Sequence, residues 1–307
     1  PQLDGLDWAF LKRTFEQLRA SGVHLVFYRC PRRLQRLLGS GMHIKIQLSD
    51  LGGAVFSSSN ISSTSFERWQ EFGVYVEGDI VLRLLEDFQT LGVKLPAAHR
   101  SVLTARAQKA STTQWLGYSS AHPSHDDHWL NPLLLRSGND LTAYLERLFS
   151  SARDHIQASS LYFKPAPVLL NAMIQAARRG VHVEIFHSHR DALGPTITPW
   201  LPSALLYRRL LDAGVQIYES MPGDHSKVIL IDRHEALFGS YNLEHAAHDR
   251  LAEAMMSSND QHVIETIEQF FSQKRSSRES KRIHANEQLP LKIRLQMSLA
   301  KYIARWI

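Results

Sequence analysis

The chain has 307 residues, 44% of them hydrophobic and 21% charged, with 16 Gly and 12 Pro. That composition excludes a collagen-like or wholly disordered chain, and the length suits about two domains, each with its own core. Cys30 is the sole cysteine, which excludes a disulfide framework and a Cys-rich zinc site; 35 Lys+Arg against 30 Asp+Glu leave a net charge of +5. This balance allows an anionic partner, either nucleic acid or an acidic membrane surface. No apolar run approaches the ~20 residues needed to cross a bilayer. The chain opens at Pro1, directly before a helical pattern, without an initiator Met or a signal peptide, so its start gives no localisation.

Leu6 to Ala20 carries Phe10, Leu11, Phe15 and Leu18 at helical spacing, Gly22 is a stop signal, and Val23 to Tyr28 reads as a buried strand. The texture changes between Ala97 and Pro132, where Thr112 to Trp129 has no hydrophobic period and reads as a long linker or surface loop. Within it, His122, His125, Asp126 and His128 invite a metal reading, but Ser and Pro between them fix no ligand geometry, and a solvated loop is the simpler account. Leu141 to Ile156 follows as a helix with Leu141, Tyr144, Leu145, Leu148 and Phe149 on one face, then a strand, Ala158 to Phe163. The helix Pro167 to Arg179, with Gly180 as its stop, leads into the strand Val181 to Phe186; helix Leu205 to Ala213, Gly214 and strand Val215 to Tyr218 continue the alternation. This is the signature of an α/β fold. Helix, Gly-Val-His and strand occur twice, which suggests an internal duplication. Gln273 to Arg282 is charged and reads as solvated. Leu291 to Ile307 is a basic amphipathic helix with Leu291, Leu295, Leu299, Tyr302, Ile303 and Trp306 on one face and Arg294, Lys301 and Arg305 opposite. It suits a membrane interface or packing on the domain or on a second subunit.

Six polar positions establish the duplication. His43, Lys45, Asp50, Ser58, Asn60 and Glu71 recur as His225, Lys227, Asp232, Ser240, Asn242 and Glu253, each 182 residues on. Period-2 alternation puts His and Lys of H-x-K on one face of a strand. Ser and Asn follow at a strand end, where they can donate hydrogen bonds to an anion. Two such half-sites facing one pocket suit a phosphate diester. One imidazole attacks phosphorus, the other protonates the leaving oxygen, and Lys and Asn hold the non-bridging oxygens. Glu71 and Glu253 are natural carboxylates to fix each His tautomer. The chemistry calls for no metal and no other cofactor.

The doubled H-x-K-x4-D pattern with downstream Ser-x-Asn resembles the phospholipase D superfamily. Ser160-Leu-Tyr-Phe-Lys-Pro and Ala176-Ala-Arg-Arg-Gly-Val are similar to the second half of bacterial cardiolipin synthases, and Trp69-Gln-Glu-Phe-Gly-Val-Tyr-Val-Glu-Gly to the stretch after their first motif. The chain departs from that pattern at Glu71, usually Asp, at Ser57, usually Gly as at Gly239, and at Ala247 and Leu251, where polar residues are common. The resemblance implies a two-step transfer in which His43 is the nucleophile, forming a phosphohistidine, and His225 the acid and then the base. It implies His43, Lys45, Asp50, His225, Lys227 and Asp232 as catalytic residues, and Ser58, Asn60, Ser240 and Asn242 as phosphate-binding.

The expected architecture is two phospholipase D-like α/β/α sandwich domains about a pseudo-two-fold, with the site at their interface and substrate entering past the 97–132 connection. The first domain spans 1–96, a linker 97–132, the second domain 133–289, and the amphipathic helix 290–307. Val181 to His225 covers 44 residues but Val23 to His43 only 20, so the first domain is expected to be N-terminally incomplete. The resemblance implies a phosphatidyltransferase, a cardiolipin synthase first of all, with an anionic glycerophospholipid substrate, peripheral on the cytoplasmic membrane of a bacterium and without a nucleic-acid partner. A phospholipase D or phosphatidylserine synthase would use the same residues. A superfamily nuclease and a catalytically impaired membrane-binding protein are the further readings.

Overall fold

The computed structural model describes residues 5–23, 25, 41–90, 95–112, 129–130, 140–194, 199–249, 251–285, 293 and 295. The N-terminal repeat opens with helix α1 (Gly5–Ala20). Strand β1 (Gly41–Met42) leads to an antiparallel sheet of β2 (Ile46–Leu48), β3 (Gly53–Ser57) and β4 (Gly73–Glu77), with the short helix α2 (Ser63–Glu67) between the last two. Helices α3 (Asp79–Thr90) and α4 (Ala97–Thr112) cover one face, burying Val81, Leu84, Leu103 and Ala107 against Ala54. The predicted linker therefore begins as a helix. Its apolar period is weak, but Leu103 and Ala107, four residues apart, are 3% and 0% exposed. Of the predicted strand 23–28, Val23 is exposed beyond the end of α1, and the rest lies almost wholly outside the described residues, as do His122, His125, Asp126 and His128.

The C-terminal repeat is fuller. Its elements are β5 (Trp129–Leu130), α5 (Asp140–Ser151), β6 (His155–Ser160), β7 (Phe163–Lys164), α6 (Pro167–Arg178), β8 (His182–Ser188), α7 (Leu201–Leu211), β9 (Gln216–Ser220), β10 (Val228–Ile231), β11 (Glu235–Gly239), β12 (Leu243–Glu244), α8 (His245–Asp249), β13 (Leu251–Ala252), β14 (Met255–Ser258), α9 (Gln261–Ser276) and β15 (Ser280–Arg282). The main sheet runs β15-β9-β8-β6-β10-β11-β14-β5, parallel where β6, β8 and β9 are joined by helices. Helix α5 ends earlier than its pattern suggests. Ile156 belongs to β6, fully buried between the two neighbouring strands.

Helices α5, α6 and α7 cover one face through Leu145, Phe149, Leu169, Met173 and Leu210, and Ile293 joins this core, so at least that residue of the basic tail packs on the domain. The other face is covered by α9, through Ile264, Ile267 and Phe271, and by Phe56 of the N-terminal repeat. The result is the expected α/β/α sandwich. The charged stretch after Gln273 is not simply solvated: Lys274 is 6% exposed and β15 closes the sheet edge against β9.

Candidate active site

The two half-sites are built alike, and each is completed by the other repeat. β1 pairs in parallel with β13, Met42 opposite Ala252, and His43 N–H donates to Ala252 O at 2.9 Å. The counterpart contact is the parallel bridge of Gln70 with Asp224, followed by His225 N–H to Gln70 O, also 2.9 Å. The positions correspond at the 182-residue offset although the side chains differ, Met42 matching Asp224 and Gln70 matching Ala252. This exchange brings each histidine to the carboxylate of the opposite repeat. His43 Nδ1 lies 2.8 Å from Glu253, and His225 Nδ1 lies 2.8 Å from Glu71. Each Nε2 is left for chemistry. The carboxylates are themselves held. Ser58 Oγ donates to Glu71 at 2.6 Å and accepts from Phe72 N–H at 2.9 Å; Ser240 Oγ donates to Glu253 at 2.5 Å and accepts from Ala254 N–H at 3.0 Å.

Ser58 and Ser240 were expected to bind phosphate, and the structure gives their hydroxyl protons to the glutamates instead. Each lysine donates to the carbonyl of its own histidine, Lys45 to His43 O at 2.7 Å and Lys227 to His225 O at 2.6 Å, which aims both ammonium groups at the centre. Burial is the main reason why both ammonium groups hold their protons weakly. Lys45 is lowered to about 8, and Lys227, facing Lys45 as well, to about 7. His225 falls to about 4, through burial first and the Lys227 charge second. Burial disfavours charge on Glu71 too, but the bond and charge of His225 and the hydroxyls of Ser58 and Ser65 outweigh it and hold the carboxyl below its usual range. The centre therefore carries buried positive charge that an anionic diester would neutralise.

Asp50 and Asp232 do not join this set. Each lies at the far end of the strand that follows its lysine, about 16 Å along the chain at ~3.3 Å per residue. The Asp232 carboxylate accepts backbone N–H bonds from Arg153, Asp154 and His155 at 2.8–2.9 Å, and the residue turns the β10–β11 hairpin at φ 51°. It clamps a turn. Asp50 is exposed in the β2–β3 turn, where its carbonyl accepts from Arg106. Asn60 is half-buried, and its N–H donates to Ser65 Oγ at 3.3 Å. Asn242 is buried, and its Nδ2 donates to Glu244 at 2.9 Å.

The halves also differ. The Trp69 indole stacks on the His225 ring, centroids 4.8 Å and planes 23° apart, and its Nε1–H donates to Ala192 O at 3.4 Å. Leu251 stands at the equivalent position of the other repeat. Accordingly the His225 side chain is 2% exposed and that of His43 23%. Gly223 makes room for this stack. A Cβ there would lie 2.4 Å from Trp69 Cδ1, and its φ of +105° favours glycine. Beneath His225, Lys274 bridges buried Asp224 and Gln70 Oε1, each at 2.7 Å, tying α9 to both repeats. Motif reading missed Trp69, Glu244, Gln70 and Lys274. Trp69 sits two residues before Glu71 and Glu244 two after Asn242, so proximity to motif residues was the available signal.

Residues 145–275 match the family described as "Cardiolipin synthase, PLD-like domain". The chain is 29% identical over 283 residues to cardiolipin synthase B of Escherichia coli K12, covering 86% of this chain and 64% of the relative, so it spans less than two thirds of that protein. It is 26% identical over 251 residues to cardiolipin synthase A of Buchnera aphidicola, covering 75% of this chain and 48% of the relative. The crystal structure of phosphatidylserine synthase from Haemophilus influenzae Rd KW20 superposes with a TM-score of 0.62 over 88% of this chain and 70% of that one, at 17% identity, a likeness of fold. Residues 145–275 thus match a phospholipase D-like domain, and the chain is similar to bacterial cardiolipin synthases over most of its length.

Proposed function

We propose that the chain is a phosphatidyltransferase that acts on glycerophospholipids through a phosphohistidine, and specifically that it joins two phosphatidylglycerols into cardiolipin and glycerol. The observation that carries this reading is the pair of imidazoles, each tied at Nδ1 to a carboxylate of the opposite repeat across a centre holding two buried ammonium groups. Its residues work as follows. Lys45 and Lys227 take the non-bridging oxygens of the diester, with Asn60 beside them. The single negative charge of the diester offsets part of the charge on the two ammonium groups. That removes part of what depresses His225, which then gains a proton and serves as the acid. His43 Nε2, in the role that the resemblance gives it, attacks phosphorus. The P–O bond to glycerol breaks, and the leaving oxygen takes the proton of His225 Nε2. Glu253 and Glu71 stabilise the positive charge that forms on their own histidines. In the second step an acceptor hydroxyl gives its proton to His225 and displaces His43 from phosphorus.

The substrate is an anionic lipid and the setting peripheral, at the cytoplasmic membrane of a bacterium. The bacterial relatives support this. Among the described residues no helix is long and apolar enough to cross a membrane. Nucleic acid is not a partner in this reading. The test is incubation with phosphatidylglycerol vesicles and mass spectrometry of the lipids, beside His43→Asn and His225→Asn. Cardiolipin plus free glycerol, lost in both variants, is the expected result. Phosphatidic acid alone would make the chain a phospholipase D. A serine-dependent phosphatidylserine product would make it a phosphatidylserine synthase. DNA cleavage without lipid turnover would make it a nuclease, and vesicle binding without any product an impaired relative.

A further inference from the structure

The C-terminal half-site contains a carboxylate with no counterpart across the pseudo-two-fold. Position 244 corresponds to Ser62, whose hydroxyl caps α2 by accepting from Ser65 N–H. Glu244 instead reaches the centre. Pairing of β12 with β7, and a bond from Leu243 N–H to Ser160 Oγ at 2.9 Å, hold its backbone in place. Its own N–H donates to Asn242 O at 2.8 Å, and its Oε1 accepts from Asn242 Nδ2 at 2.9 Å. With that nitrogen committed, Asn242 Oδ1 is left buried, and among the described residues nothing donates to it; Asn242 is 2% exposed. A buried acceptor without a donor is costly, and it asks for one. Two acceptors therefore stand together beside the lysines that take the phosphate.

The ligand's chemistry decides what can fill that place. A phosphodiester anion and acyl chains bring no donor. An ammonium headgroup would bring one, but Lys45 and Lys227 repel a second cation. A neutral hydroxyl meets both conditions. Burial pushes the Glu244 pKa up, and Tyr162, raised to about 12 by burial and by the Glu244 charge, lies close by.

Resting on the phosphatidyltransferase reading, we propose that Glu244 and the side-chain oxygen of Asn242 form the acceptor subsite. They bind one hydroxyl of a neutral vicinal diol, so that the neighbouring hydroxyl faces phosphorus. In the transfer step that neighbouring oxygen forms the new P–O bond. Its proton goes to the non-phosphorylated imidazole, and the P–N electron pair returns to the ring. Glu244 moves no proton.

The test is a competition in one vessel. Phosphatidylglycerol vesicles are turned over with equimolar 1,2-propanediol and 1-propanol, and the ratio of phosphatidylpropanediol to phosphatidylpropanol is read by mass spectrometry. The wild type is expected to favour the diol about tenfold, the factor a hydrogen bond to a charged group supplies. Glu244→Ala should bring the ratio to within about twofold of unity. Glu244→Gln, of the same shape, should lower it about threefold, and serves if the alanine variant does not fold. Because both products come from one vessel, the ratio does not depend on how much protein is active. Equal use of both alcohols by the wild type would overturn the inference, and so would an unchanged ratio in Glu244→Gln. Absence of every lipid product from the wild type would sink the phosphatidyltransferase reading itself.

Discussion

Replacing Lys227 by Met should stabilise the protein and destroy its activity. Lys227 is fully buried, donates to His225 O at 2.6 Å, and has its pKa brought from 10.5 to about 7. The unfolded chain keeps that proton up to about pH 10.5, whereas the folded one releases it near pH 7. Between these values the unfolded state binds the additional proton, so folding becomes more favourable as pH rises from 7 to 10.5. Below pH 7 the charged ammonium costs its full amount, roughly 5 kcal/mol at ~1.4 kcal/mol per pH step. Met has a similar volume and no charge. It forfeits one hydrogen bond, about 1 kcal/mol, and the attraction of Glu71 and Glu253, which that pKa already contains. A net gain of about 2–4 kcal/mol at pH 6 is expected. Urea unfolding of both proteins at pH 6 and pH 10 measures it. Wild-type stability should climb across that range, and the variant should climb less, Lys45 remaining. A soluble phosphate analogue such as tungstate should raise the wild-type midpoint at pH 7 and barely move that of the variant. A Lys227→Met protein less stable than wild type at pH 6, together with a wild-type curve flat from pH 7 to 10, would refute the claim that burying the Lys227 charge costs stability.

Other outcomes follow from the same geometry. Glu253→Gln and Glu71→Gln should each lower kcat per folded molecule by about 10²–10⁴-fold, because each removes the charge that stabilises the imidazolium of the opposite repeat; initial rates on phosphatidylglycerol check this. Asp232→Ala should cost about 1–3 kcal/mol of stability by releasing three backbone N–H groups, and should leave the rate per folded molecule near wild type. A loss of rate out of proportion to unfolding would return Asp232 to the catalytic set. Gly223→Ala should cost about 1–3 kcal/mol and shift the indole off His225. Tryptophan fluorescence and the activity profile would both change, and an unaltered spectrum would argue against the close stack.

How much of this was readable along the chain depends on what each feature requires. The chemistry needs particular residue types at fixed positions relative to strands. Two His, two Lys, two Ser, two Asn and two Glu at one repeated offset therefore announced the site, and alternating helices and strands announced the α/β class. Strand boundaries slipped where burial on both sides made Ile156 look helical. Residues 97–112 looked like linker because, among their described side chains, only Leu103 and Ala107 are buried. Asp232 looked catalytic because it travels with His225 and Lys227. Its distance along the strand, and the three N–H groups waiting there, became visible only when β6 and β10 were paired.

The sequence by itself offered two equivalent half-sites and twelve side chains for them, Asp50 and Asp232 included. Only the tertiary structure decided that the halves are interlocked, with Glu253 serving His43 and Glu71 serving His225. It also decided that Trp69 closes over one histidine and leaves the other open. The reason is physical. Spacing records which groups lie on one strand. The hydrogen bonds that tune them run between β1 and β13 and between Gln70 and Asp224, and those contacts form only when Phe56 of one repeat is buried against Phe238 of the other.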